Sequence, residues 1–167
     1  VFHRHSDRVR MANIAQIANV LQSMILTDTT GNGHIVLTPT YHVFRMYQPF
    51  QDATYLPLDV KCDSMKVRDN RTIPMVSASA AKTKDGNIVI SLANVSLDKA
   101  QNIDVDIEDA GIKNISGEIL TSKNIGDYND FNNPNVVKPV PFKDVKVKRN
   151  TLKVKIPAKS IVVLNIK

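Results

Sequence analysis

The closing stretch, residues 145–166, reads VKVKRNTLKVKIPAKSIVVLNI, and it decides the fold class. Val145 and Val147 alternate with Lys146 and Lys148. Arg149-Asn150-Thr151 interrupts, and Leu152, Val154 and Ile156 then alternate with Lys153 and Lys155. A period of two puts apolar side chains on one face of a strand and polar ones on the other, so the spacing predicts a hairpin with one buried face. Ile161 to Ile166 closes the chain as a further strand.

The same texture continues upstream to about residue 54. Ile115 to Thr121 is a candidate strand. In Asn102 to Glu108, Ile103, Val105 and Ile107 face one way, and Asp104, Asp106 and Glu108 the other. Asp85-Gly86-Asn87 is a hairpin turn joining Met75–Lys82 to Asn87–Asn94. Tyr55 to Lys61 is the first strand of the series, and residues 122–139, rich in Asn and Pro, form one long polar loop. Short strands at this spacing predict an antiparallel β-sandwich.

Residues 1–50 differ in texture, being rich in Met, Ala and Gln. Val9 to Leu26 is apolar with few breaks but shows no clean helical stripe, so helix and buried strand both remain open. Asp28 to Gly33, DTTGNG, is a turn. Thr38 as cap and Pro39 as first helical residue predict a helix from Pro39 to about Tyr47, ended by Pro49.

Composition narrows the classes of function. A length of 167 residues allows one domain, or a small domain with an appendage, and 43% hydrophobic residues exclude a disordered tail. Nine Phe and Tyr and no Trp argue against a flat aromatic platform for polysaccharide. Lys143 to Lys167 carries eight basic residues and one acid, a balance of +7, so the preceding 142 residues sum to −1 against the total of +6. Such a near-neutral chain with a basic end is not expected to take nucleic acid as a partner. No apolar run approaches the ~18 residues of a membrane span, and the start VFHRHSDRVR has no signal-peptide core. Val1 is not Met, so a start within a longer protein is expected.

Candidate chemistry is sparse. A glycosidase needs two carboxyl groups about 5–9.5 Å apart, and the only glutamates are Glu108 and Glu118. Both sit in strand patterns where solvent-facing charge is the ordinary reading. Asp104, Asp106, Glu108 and Asp109 suggest a calcium loop, but the glycine and glutamate that an EF-hand needs at its sixth and twelfth positions are Asp109 and Ile115 here. His3, His5, His34 and His42 lack the companion ligands of a zinc site; Asp7 is a weak neighbour. Cys62 stands alone, so a buried or idle thiol is expected. The lysine face of the last hairpin has no interleaved aromatics, and blocking edge-to-edge pairing is its better explanation. N-x-[ST] triplets at Asn70, Asn94 and Asn114 carry little weight alone.

Four ordered segments carry a family resemblance. They are His5-Ser6-Asp7-Arg8-Val9-Arg10-Met11-Ala12-Asn13-Ile14-Ala15-Gln16 running on through Asn19-Val20-Leu21-Gln22 to Thr27; Val36-Leu37-Thr38-Pro39-Thr40-Tyr41-His42-Val43-Phe44 with Met46-Tyr47; Ser91-Leu92-Ala93-Asn94 with Leu97 to Gln101; and Asp127-Tyr128-Asn129-Asp130-Phe131 with Asn133 to Pro139. Together they resemble the carboxy-terminal part of glycoside hydrolase family 51 α-L-arabinofuranosidases, with Asp130 where an N-x-F-x-x-P-x-x-V loop usually has Thr. The resemblance implies a jelly-roll-type sandwich over residues 51–167, preceded in residues 1–50 by the last strand, about Arg8 to Ala15, and the last helix of a (β/α)8 barrel. It implies an exo-acting enzyme that removes terminal arabinofuranosyl units from arabinan or arabinoxylan by retention, through two glutamates on earlier barrel strands. This chain would then hold no catalytic residue, need no metal or cofactor and be inactive alone. Gln16, in the A-Q-x-x-N motif, is the one site residue the resemblance carries over, as a contact to the sugar at the carboxy end of a barrel strand. Expected partners are the upstream barrel, arabinose-containing polysaccharide or oligosaccharide and further copies in a homo-oligomer, in a bacterial cytoplasm or periplasm.

Overall fold

The computed structural model describes residues 2–108 and 111–167, and among them it forms thirteen strands and one α-helix. A short hairpin, β1 (Ile25–Thr27) and β2 (Ile35–Leu37), precedes α1 (Pro39–Met46). There follow β3 (Thr54–Leu56), β4 (Ser64–Lys66), β5 (Thr72–Pro74), β6 (Val76–Lys82), β7 (Ile88–Asn94) and β8 (Gln101–Asp106). The chain ends with β9 (Ile115–Thr121), β10 (Val140–Pro141), β11 (Val145–Lys148), β12 (Thr151–Ile156) and β13 (Ser160–Ile166).

Two sheets make the sandwich. One has six strands in the order β10-β9-β13-β7-β6-β3, the other three in the order β11-β12-β8, and every pair is antiparallel. The alternation read from sequence sets which side chains meet. Leu152, Val154 and Ile156 of β12 are buried against Val162, Leu164 and Ile166 of β13, with Ile90, Leu92 and Phe142 beside them. Fully burying a side chain of this size contributes about 1.5–3 kcal/mol, so this inner layer is the main source of stability.

The larger sheet is apolar on its outer face too. Ala81, Val89, Leu120 and Val163 point there, and Met46 of α1 and Val137 of the 122–139 loop cover them, with Val43, Tyr47 and Phe50 packed alongside. A strand buried on both faces loses its alternation, which explains the near-continuous apolar runs of β7 and β13. The helix therefore covers a second apolar layer, separate from the inner one, on the outer face of the larger sheet. The helix start matches expectation: Thr38 accepts from the Tyr41 N–H, and Pro39 opens the helix.

The acidic face of β8 and the lysine face of β12 turn out to be neighbours. Lys153 pairs with Asp104 at 2.9 Å, and the Thr151 hydroxyl donates to Asp106 at 2.6 Å. Asp104 and Lys153 are thus cross-strand partners, while Asp106 is met by a hydroxyl. Asp109, the remaining acid of that run, lies outside the described residues.

The structure departs from the sequence reading in three places. Arg8 to Ala15 is coil, not a strand: a parallel strand depends on neighbours for its backbone hydrogen bonds, and no described strand lies beside it. The first sandwich strand stops at Leu56 rather than Lys61, because Pro57 has no N–H for the ladder. The hairpins β1–β2 and β4–β5 carry too few residues for alternation to show.

Candidate functional site

Gln16 lies exposed on the loop between the amino-terminal coil and β1. The loop is closely tied. The carbonyl of Ile17, the next residue, accepts from the N–H groups of Met24 and Ile25 at 2.9 and 3.1 Å. The Asn19 N–H donates to the Ile25 carbonyl at 3.0 Å. Asn19 has φ of 57°, a left-handed conformation in which asparagine is enriched. Its side chain grips Thr27 twice: Nδ2 donates to the hydroxyl at 2.7 Å, and Oδ1 accepts from the N–H at 2.8 Å.

The loop also rests on the helix start. The Thr38 hydroxyl donates to the Ser23 carbonyl at 2.7 Å, and the Thr38 N–H to the Met24 carbonyl at 3.1 Å. Ser23 is buried there. From the sandwich side, Asn129 reaches the same hairpin. Its Nδ2 donates to the carbonyls of Leu37 and Val137 at 2.9 and 2.8 Å, while Oδ1 accepts from the Val137 N–H at 2.8 Å. Asn129 thus closes its own loop and fastens that loop to β2.

The two glutamates are not a pair. Glu118 is on the outer face of the six-stranded sheet, bound to Arg45 of α1 at 2.8 Å. Glu108 lies at the rim of the cleft between the two sheets, beside Ile107 and Lys61. A catalytic pair flanks one scissile bond, and opposite faces of a sheet do not allow that.

The histidines separate as well. His3 stacks on Phe50 with ring centroids 4.8 Å apart and meets the Ser79 hydroxyl at 2.6 Å; burial holds its pKa below the ordinary value. His42 is on the buried side of α1, with no hydrogen-bond partner for Nδ1 among the described residues. Burial, then the Arg45 guanidinium, lowers its pKa against a smaller opposing effect of Glu118. His34 sits 3.4 Å from Asp28, and His5 is exposed. Among the described residues no three His, Cys, Asp or Glu side chains converge as metal ligands would. Cys62 is a free thiol whose Sγ lies 3.8 Å from the Val76 carbonyl.

Asn94 is buried, and its amide donates to three carbonyls, so it is not an exposed glycosylation acceptor. Asn19 and Asn129 stand inside the motifs read from sequence, but their partners lie 8 and 92 residues away, beyond the reach of any local pattern.

Comparison with known proteins places these features. The family model for the α-L-arabinofuranosidase C-terminal domain matches residues 1–160. The chain is 60% identical over 166 residues to an intracellular exo-α-L-arabinofuranosidase of Bacteroides ovatus, covering 99% of this chain and 32% of that protein. The family 51 arabinofuranosidase of Xanthomonas axonopodis pv. citri superposes with a TM-score of 0.93 at 44% identity, over 99% of this chain and 33% of that one. A family 51 α-L-arabinofuranosidase from Bifidobacterium longum shares the fold, with a TM-score of 0.86 at 16% identity over 99% of this chain and 32% of that one. The chain spans about a third of the length of these relatives. It belongs to the α-L-arabinofuranosidase C-terminal domain family, as that domain occurs in glycoside hydrolase family 51 enzymes.

Proposed function

We propose that this chain is the carboxy-terminal part of an exo-acting α-L-arabinofuranosidase that releases terminal arabinofuranosyl units from arabinan, arabinoxylan or their oligosaccharides. The observation that carries the reading is the 60% identity across 99% of the chain to a protein described as an exo-α-L-arabinofuranosidase. The catalytic glutamates of the retaining mechanism belong to the remainder of such an enzyme, and this part is structural. Gln16 is proposed to contact the sugar: its amide can both donate to and accept from hydroxyls.

In this reading residues 1–50 complete a barrel, and residues 51–167 are the sandwich. Met11, Ile17, Leu21, Ile35 and Phe44 are exposed, with Leu21 92% so. Apolar side chains clustered in one segment mark a surface that expects a partner, and the upstream barrel is the proposed one. Arg8 to Ala15 would become its last strand once neighbouring strands supply the ladder. Assembly into a homo-oligomer is part of the same proposal, supported by exposed Ile125 and Tyr128 on the sandwich loop, and sedimentation of the whole enzyme tests it.

The experiment is arabinose release from a chromogenic α-L-arabinofuranoside by this 167-residue chain and by one extended upstream through the barrel. Activity is expected only in the longer protein. Gln16→Ala there should lower kcat/KM about ten- to a hundredfold, the loss of one or two sugar hydrogen bonds. Activity in the short chain would overturn the assignment.

A further inference from the structure

We propose that the β1–β2 hairpin is a brace for Gln16, gripped from the loop by Asn19 and from the sandwich by Asn129, and that both asparagines are positioning residues. The inference rests on the reading of Gln16 as a sugar contact.

The connection is continuous. Asn129 holds the Leu37 carbonyl. Leu37 is the ladder partner of Ile25, whose N–H binds the carbonyl of Ile17, the residue that follows Gln16. Asn19, three residues after Gln16, is fastened by both ends of its amide to Thr27, itself the ladder partner of Ile35. Gln16 makes no side-chain hydrogen bond among the described residues. Its amide is unengaged while the backbone on its carboxy side is pinned.

That division suits a binding residue. A group that orients a substrate must be held within about 0.5 Å of the productive geometry by neighbours that are themselves fixed, and a displacement of about 1 Å can cost a hundredfold in rate. An exposed loop cannot do this unaided. Here the rigidity comes from the sandwich core, because Asn129 is 3% exposed and its loop is seated by Val137 on the outer face of the large sheet. The sandwich therefore acts on the substrate site at a distance, through backbone position rather than through contact.

The test uses the enzyme extended upstream through the barrel, with kcat and KM measured on a chromogenic arabinofuranoside. Asn19→Gly keeps the left-handed backbone accessible and deletes the grip; Asn19→Asp keeps the acceptor for the Thr27 N–H; Asn129→Ala removes the sandwich contact. Each is made with Gln16 and in the Gln16→Ala background. Asn19→Gly and Asn129→Ala are expected to lower kcat/KM about tenfold or more with Gln16 present, to do so by less than about twofold once Gln16 is gone, and to be partly rescued by Asn19→Asp at the loop position. Asn129 is buried, so its replacement can also lower the melting temperature. Asn19 is exposed, and its series stands without that complication. Equal losses in both backgrounds would overturn the brace while leaving the sugar contact intact. A Gln16→Ala enzyme with unchanged kinetics would overturn the sugar contact and the brace with it.

Discussion

Replacing Asn94 by Ala should cost this chain about 3 kcal/mol. The residue ends β7, where the chain leaves the six-stranded sheet for β8 in the other sheet, and the return connection from β12 to β13 passes the same point. One side chain ties both crossings. Its Nδ2 donates to the carbonyls of Lys99 at 2.8 Å, Pro157 at 2.9 Å and Ile156 at 3.3 Å, and its Oδ1 accepts from the Ser96 N–H at 3.0 Å. Two amide protons and one acceptor amount to three full hydrogen bonds, each contributing about 1 kcal/mol net. Asn94 is 3% exposed, so water cannot readily replace them. For a chain of this size about 1 kcal/mol moves the melting temperature by roughly 2–4 °C, which predicts a loss of about 6–12 °C for Asn94→Ala. Thermal and urea denaturation followed by circular dichroism measure it, with Asn102→Ala, at an exposed strand position, as the control expected within about 0.5 kcal/mol of the parent. Asn94→Asp should be worse than Asn94→Ala at neutral pH, since it turns an anion toward three carbonyls. If Asn94→Ala melts with the control, the stapling argument is refuted.

Three further outcomes are expected. Gly117→Ala should destabilise by about 1–3 kcal/mol, because a Cβ there would lie 2.7 Å from the Leu164 side chain, 3.3 Å from the Val163 carbonyl and 3.4 Å from Phe142; an unchanged melting curve would show that Leu164 yields freely. Lys153→Ala should change stability by less than about 1 kcal/mol and by less still at high salt, since Lys153 and Asp104 are both more than half exposed; a larger, salt-insensitive loss would contradict this. His3 and His42 have folded-state pKa values below the unfolded value, so the unfolded chain binds protons first and stability rises with pH. Their contribution is fully present above about pH 6.5 and is lost as pH falls below it; urea midpoints between about pH 7.5 and 5 should show this slope, and His42→Gln should reduce it.

Much of the sandwich was legible because one buried face imposes a period of two. That period placed β8, β11 and β12 within about two residues, apolar runs bounded by turn residues placed β7 and β13, and Thr38-Pro39 located the helix start by local capping chemistry alone. Gln16 entered only through its motif, and its loop could not be read from a pattern. Asn19 and Asn129 stood within recognisable segments, but an asparagine is defined by what it bonds, and their partners are remote in sequence. The 129–137 loop shows why its two ends belong together: Asn129 exchanges hydrogen bonds with Val137 in both directions.

The sequence by itself determined that this is an antiparallel β protein with an appended helix, and it carried enough ordered motifs to indicate the family. It could not determine that Asp104 of β8 pairs with Lys153 of β12, that Glu108 and Glu118 lie on opposite sides of a sheet, or that residues 8–15 form no strand here. Periodicity and capping act between residues close in the chain, and so they are written in it. Charge pairing, strand partnership and the seat of a binding loop depend on which distant segments the core brings together, and only the folded arrangement decides that.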